Sequence, residues 1–313
     1  KNNLSNIKKA IKYLNNNDCI AIPTETVYGL AGNAYSNNAT EKIFRLKKRS
    51  KNNPLIVHYY NLNLLKKDCF ISKKFLKLYK KFCPGPISFV LKLKKKSLIS
   101  KNVTNNKKTL AVRFPKHPLT RKLLSKLKYP LAAPSANITT RISPVKKQDV
   151  FDEFGKKIKF VLDGGQSKIG VESTIISLIE KPQILRLGGL EKKELNKFLK
   201  INTKYVRKSK KILVPGQGKL HYSPKIPIRL NIKNPRQYEA FVLINKRKLS
   251  GKNYFYLTKN KNLKEAAKNL YSVLRKIKKN KFKSIAIEKI PNKGLGETIN
   301  DRLIRASKFL WKI

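Results

Sequence analysis

The chain has 313 residues, the length of two ordinary domains, and 40% of them are hydrophobic, enough for a packed core. Its 73 basic against 17 acidic residues give a formal net charge of +56, which favours polyanions and makes such binding steeply salt-dependent; lysine and asparagine are spread so evenly that compositional bias outweighs a dedicated nucleic-acid surface. Three cysteines, Cys19, Cys69 and Cys83, lack metal-ligand spacing and exclude a disulfide framework, pointing to a reducing, cytoplasmic setting, and no apolar run approaches the roughly 20 residues of a membrane span.

The predicted elements alternate along the chain. An amphipathic helix over Ser5–Asn16, which lacks the apolar core of a secretory signal, precedes an apolar strand, Cys19–Ile22. Helix Ala39–Lys47 leads to strand Leu55–Tyr60, and helix Ser72–Phe82 to strands Ile87–Leu93 and Leu110–Phe114. Helix Pro118–Lys126 precedes strand Pro130–Ala133, and helix Lys147–Phe154 precedes strands Phe160–Leu162, Ser173–Ile179 and Gln183–Leu187. Helix Glu191–Leu199 ends this unit. Mixed strands and helices with short connections predict an α/β fold around a twisted mixed sheet.

A stretch with three prolines and two glycines in "VPGQGKLHYSPKIP" reads as a linker that carries an ordered-looking cluster, His221-Tyr222-Ser223-Pro224. After it come strands Ile226–Leu230, Ala240–Ile244, Tyr254–Leu257 and Ser284–Ile287 and a helix over Asn262–Lys279, whose apolar residues repeat with helical period. Gly294 to Lys308 reads as a loop leading into a helix. The division expected is therefore 1–203, a linker or lid over 204–226, and a smaller α/β, Rossmann-like unit over 227–313.

Five clusters follow strands, where α/β folds place their sites. They are "IAIPTETVYGLAG", "LKKRSKNNPLIVH", "TLAVRFPKHP", "AAPSANITTRISP" and "LDGGQSKIGVESTII", the last followed by Arg186 in "ILRLGG". Together they offer cations (Lys47, Arg49, Arg113, Arg186), hydroxyls (Thr26, Ser135, Ser143, Ser173, Thr174) and the Gly164-Gly165 turn, a set suited to a phosphate-bearing ligand. Neither a Walker-A spacing nor a dinucleotide fingerprint is present. Singly, each has a plainer explanation: Thr24 and Thr26 as turn formers, Lys47 and Arg49 as a solvated helix end, His58 as a structural histidine, Cys19 and Cys83 as core. Ser135 and Ser173 have no neighbouring Asp and His that would suggest a triad.

The order of these motifs resembles the long, two-domain form of the threonylcarbamoyl-AMP synthases, with a YrdC-type catalytic domain. "PTETVYGL", "KKRSKNNPLIVH", "CPGPISFVLK", "LAVRFPKHP", "AAPSAN", "LDGG" with "GVESTI", and "ILRLGG" carry the likeness, "PGQGKLHYSP" resembles the family's linker, and "IAIEKIPNKGLGETINDRLIRASK" the end of its small domain. The resemblance implies a concave cationic cleft and a nucleotidyl transfer. L-threonine, bicarbonate or CO2, and ATP with Mg2+ would give threonylcarbamoyl-adenylate and pyrophosphate. A downstream tRNA threonylcarbamoyl-transferase complex would then modify tRNA beside the anticodon. It also implies Thr26, His58, Arg113, Ser173 and the backbone at Ala133 as L-threonine-binding positions. Arg49, Asn53, Thr109, Ser135, Ser143, Arg186 and the linker's Tyr222 match ATP-binding positions, with Lys47 and Arg49 the catalytic cations and Tyr222 a lid. The metal ligands are left unassigned, with Mg2+ expected to be held mainly by the ATP phosphates.

Two departures from the family pattern are Thr139-Thr140, where Ser-Gly is usual, and Gln217, where methionine is usual. Glu25 receives no role. Two other readings compete: a carbamoyltransferase with a related domain, which would need paired-cysteine zinc motifs, and a non-catalytic RNA-binding protein of the same fold. Direct contact with tRNA is compatible with the charge.

Overall fold

The computed structural model describes residues 3–206, 214–216, 218, 220–249 and 251–308. The elements run α1 (Asn3–Asn15), β1 (Ile20–Ile22), β2 (Gly29–Asn33), α2 (Asn37–Lys47), β3 (Ile56–His58), α3 (Leu62–Asp68), α4 (Lys73–Phe82), β4 (Ile87–Lys92), α5 (Lys101–Thr104), β5 (Thr109–Arg113), α6 (Pro118–Ser125), β6 (Leu131–Ala132) and α7 (Lys147–Phe154). They continue as β7 (Thr174–Ser177), β8 (Gln183–Arg186), α8 (Lys192–Leu199), β9 (Lys204–Tyr205), β10 (Ile228–Leu230), β11 (Ala240–Asn245), β12 (Tyr254–Thr258), α9 (Leu263–Lys279), β13 (Ile285–Ile287) and α10 (Leu295–Ala306).

A mixed nine-stranded sheet has the order β1-β2-β6-β3-β5-β4-β7-β8-β9, and a second, all-parallel sheet the order β10-β13-β11-β12. The α/β class, the mixed sheet and the smaller α/β unit are thus present as expected. Because β9 pairs with β8, the first sheet continues through residues 204–205. Of the linker expectation, residues 207–213, Gln217 and Lys219 lie outside the described residues, as do the last five residues of the small unit.

Local chemistry starts the helices. Ser36, Ser72 and Asn61 each accept a backbone N–H of the first turn of α2, α4 and α3, and Asn262 accepts two at the start of α9. Along β1 the side chains alternate: Ile20 and Ile22 pack with Leu14 of α1 and Leu123 of α6, while Ala21 faces the larger core with Phe44, Phe75 and Phe89. Phe75 and Phe89 meet edge to face at 5.1 Å, and full burial of such a ring stabilises by about 2–3 kcal/mol.

Besides β9, three elements escape a reading of local pattern. The strand β2, "GLAGN", has two glycines and no β-branched residue, so it reads as loop; pairing with β1 and β6 makes it a strand. A side chain at Gly32 would press against Ile43 at 3.3 Å, so the helix α2 requires the gap. The short helices α3 and α5 each have too few turns for periodicity to show. Conversely, the expected strand Phe160–Leu162 forms only one bridge, Val161 to Ala21.

The two units share one core. Val27, Ile142, Val145 and Val171 of the first unit pack in one apolar cluster with Tyr222 of the linker and with Ala267, Tyr271 and Leu303 of the second. No helix among the described residues is long and apolar enough to cross a membrane.

Candidate active site

After β1 the chain turns at Pro23, and Thr24 organises the turn. Its Oγ1 accepts the N–H groups of Thr26 and Val27, both at 3.2 Å, donates to the Val27 carbonyl at 2.6 Å and lies 2.8 Å from the Thr26 hydroxyl. Glu25, beside it, accepts from Arg113 Nη2 at 2.7 Å and from the Lys116 backbone N–H at 2.9 Å. Both side chains of this ion pair are buried. The role missing for Glu25 is therefore positional: it fixes the guanidinium of Arg113, whose Nε is buried without a hydrogen-bond partner.

Strands β3 and β5 run parallel with His58 opposite Arg113, so both side chains reach the cleft from the same end of the sheet. Burial, reinforced by Arg113, drives His58 well below its ordinary value and keeps it a neutral imidazole. Ser88, opposite Arg113 on β4, lies with its Oγ 2.8 Å from that of Ser173. Arg186, at the end of β8, grips Ser173 from behind, donating to its carbonyl from Nε at 3.0 Å and Nη2 at 2.9 Å and to its Oγ at 3.1 Å. Gly188 makes this closeness possible, since a Cβ there would stand 2.3 Å from the Ser173 carbonyl carbon.

On the other wall Arg49 donates from Nε to the Asn53 carbonyl at 2.9 Å and from Nη2 to the Asn53 side chain and the Pro54 carbonyl. Burial and the neighbouring Arg186 bring it down to about 9, still charged at neutral pH. Lys47 donates from Nζ to the carbonyls of Ser135 and Asn137, both at 2.5 Å. It braces the Ser135 loop from behind, and burial holds its ammonium well below the ordinary lysine range.

The result is a cavity of about 500 Å3, counted with its open mouth. Of the expected positions, Arg49, His58, Arg113, Ala133, Ser135, Ser173, Arg186 and Tyr222 line it. Thr26, Lys47, Asn53 and Ser143 stand one layer back, each hydrogen-bonded to a lining residue or its backbone. Thr109 is not brought in: it opens β5 at the end opposite Arg113 and lines a separate crevice with Pro54, Val90 and Lys107. The linker closes the cavity through Pro215, Gly216, His221 and Tyr222. Ser223 pins it, with its N–H to the Thr140 carbonyl at 2.8 Å. Thr140 itself has φ of 71°, a left-handed conformation that costs a β-branched residue about 1–2 kcal/mol and that the glycine usual at this position would adopt freely.

Reasoning from sequence left out two lining residues of consequence. Thr24 looked like a turn former, which it also is. Glu172 was passed over inside "GVESTI", yet it is buried and lines the cavity. The available signal was scarcity: with 17 acidic residues in 313, a carboxylate flanked by apolar residues and a cleft serine stands out.

Two family models cover the chain. Residues 12–188 match the Sua5–YciO–YrdC model, described as "Telomere recombination", and residues 189–308 match "Threonylcarbamoyl-AMP synthase, C-terminal domain". The threonylcarbamoyl-AMP synthase of Pyrococcus abyssi is 35% identical over 97% of this chain and 94% of its own length. That of Bacillus subtilis is 32% identical over 96% and 92%. The chain belongs to the threonylcarbamoyl-AMP synthase family. The crystal structure of P. abyssi Sua5 complexed with L-threonine superposes with a TM-score of 0.89 at 32% identity, over 97% of this chain and 94% of that one. Relatives of this family thus share both the two-unit architecture and the sheet that carries the cleft.

All three histidines of this threonylcarbamoyl-AMP synthase relative are held neutral by burial, His221 down to about 3 from an ordinary 6.5 despite the nearby Glu172. Their depressed values set a sign. Below about pH 6.5 the unfolded chain binds protons that the folded chain refuses, so stability is full above that pH and falls between it and about pH 3. Urea midpoints should therefore drop from pH 7.5 to pH 5; equal midpoints would show that the imidazoles titrate normally in the fold.

Proposed function

We propose that the chain is a nucleotidyltransferase that forms L-threonylcarbamoyl-adenylate and pyrophosphate from L-threonine, bicarbonate or CO2, and ATP, and that the product serves threonylcarbamoyladenosine modification of tRNA through a downstream transferase complex in the cytoplasm. The observation that carries this reading is the convergence of Arg49, Arg113 and Arg186 on one lid-covered cavity, in a chain so like a protein crystallised with L-threonine.

The amine of L-threonine attacks CO2 with loss of a proton, or bicarbonate with loss of water, to give a carbamate. A carbamate oxygen then forms a bond to the α-phosphorus of ATP as the bond to the bridging α–β oxygen breaks, and pyrophosphate leaves. Two anions must meet and charge builds on the leaving group, so fixed cations matter more than a nucleophile. Arg113, aimed by Glu25, offers its fork to the threonine carboxylate. Neutral His58, Thr24 with Thr26 behind it, the Ala133 backbone and Ser173 complete the amino-acid end. Arg49, aimed by Asn53, and Arg186 face the phosphates, with Ser135 on the loop that Lys47 braces. Ser143 acts on this end through Glu172, and Tyr222 covers the nucleotide. Thr109 supports the strand rather than the ligand.

The donor set does not fit a protein-held metal. Among the described residues no group of three or more His, Cys, Asp and Glu could hold an ion, and Glu172 already receives Ser143, Tyr271 and Arg302. Mg2+ would enter with the triphosphate. Incubating the chain with ATP, bicarbonate and L-threonine should yield threonylcarbamoyl-adenylate by mass spectrometry. No adduct, together with tight salt-sensitive RNA binding, would sink the reading in favour of a binding protein.

A further inference from the structure

Glu172 presents a difficulty. It is a buried carboxylate in the wall of a cavity lined by three arginines and read as an anion site. Unopposed, it would repel a triphosphate. Its Oε1 accepts from Ser143 Oγ at 2.6 Å and from the Tyr271 hydroxyl at 3.1 Å, and its Oε2 accepts from Arg302 Nε at 2.8 Å. Two of these three donors, Tyr271 on α9 and Arg302 on α10, belong to the small unit.

Arg302 is held on every edge. Besides Glu172 it donates from Nη2 to the Leu187 carbonyl at 2.6 Å and from Nη1 to Asp301 at 2.7 Å, and it is 1% exposed. Its guanidinium lies 4.6 Å from the centre of the Tyr222 ring, which also meets Tyr271, stacked at 6.0 Å, and His221, tilted at 4.1 Å. The same helix secures the linker elsewhere: the Arg305 carbonyl receives the His221 N–H at 3.4 Å, and Arg305 Nη1 donates to the Gly218 carbonyl at 2.9 Å.

We propose that Arg302 is a positioning residue of the nucleotide site: it neutralises Glu172 and seats the Tyr222 ring, so the small unit completes the anion-binding wall and does more than tether the linker. The identity of the anion rests on the function proposed above. Burial alone would raise the Glu172 carboxyl, but Arg302 and Arg186, with the Ser143 hydrogen bond, outweigh it and keep the group ionised. The anion is thus real at neutral pH, and a cation must answer it.

The test uses the full chain with Arg302→Met, which keeps length and apolar bulk and removes the charge. ATP and L-threonine binding are measured separately by calorimetry, alongside KM for each. ATP affinity should fall about tenfold or more, with L-threonine affinity close to that of the unmodified chain. The double variant E172Q/R302M, in which the Glu172 charge is gone and Asp301 keeps its pairing with Arg305, should recover most of the ATP affinity, and Tyr271→Phe should show a smaller loss in the same direction. Unchanged ATP binding in a folded R302M overturns the proposal. So does equal weakening of both ligands without recovery in the double variant, which is the behaviour of interdomain glue. If R302M alone does not fold, the double variant decides: recovered fold and ATP binding support the proposal, and failure of either overturns it. These measurements need no turnover, so their failure is distinct from failure of the proposed reaction, which the product assay on the unmodified chain decides.

Discussion

An Arg113→Ala variant is expected to lose about a thousandfold or more in kcat/KM for L-threonine. The planar fork is the cation that β5 and Glu25 together aim into the cavity, and alanine removes it. The fold is not expected to be indifferent to the change. Glu25 would remain buried without its partner, and removing one member of a buried pair costs about 3–5 kcal/mol. Activity loss alone would therefore be ambiguous. The companion variant Glu25→Gln with Arg113→Ala removes the stranded charge and should restore the melting temperature while turnover stays low. Near-normal turnover in either variant would refute the carboxylate role of Arg113.

Tyr222→Ala should uncouple the reaction. The ring is 1% exposed, packs between Arg302 and Tyr271, and closes the cavity from the linker side. Its loss admits water to a labile mixed anhydride and loosens the phosphate wall. Recovered threonylcarbamoyl-adenylate is expected to fall about tenfold or more, and pyrophosphate released per adenylate recovered should rise, because part of the intermediate hydrolyses. Tyr222→Phe is the control. The hydroxyl is buried without a hydrogen-bond partner among the described residues, so packing and coverage survive its removal. A constant ratio of pyrophosphate to adenylate in Tyr222→Ala would remove the lid from the mechanism. Cutting the chain before Arg207 asks the same question less cleanly, since the cut also strips the apolar cover from Val27, Ile142, Val145 and Val171.

Much of the architecture was legible because it is written in local pattern. Leu263–Lys279 carries a helical apolar period and Ile20–Ile22 and Thr109–Arg113 lie in short apolar runs of strand length, and Ser36, Ser72 and Asn262 mark where helices begin. The strand Gly29–Asn33 was hidden because its structure comes from pairing and from the room α2 needs, neither of which is a property of five residues. Motif order, through the family resemblance it carries, named candidate site residues but not the layer each occupies. Asn53, Ser143, Lys47 and Thr26 are one-step supports, and Thr109 serves a strand.

From the order of its residues alone, this protein declared its α/β class, its two units, its family likeness and the arginines, histidine and serines of its cleft. The class and the units follow from periodicity, the likeness and the cleft residues it implies from motif order, and both survive in one dimension. Tertiary structure alone decided that Glu25 aims Arg113, that Glu172 sits in the wall, and that Arg302, 130 positions further on, answers its charge. A buried carboxylate is stable only where a distant donor meets it, and that meeting exists only once the chain has folded.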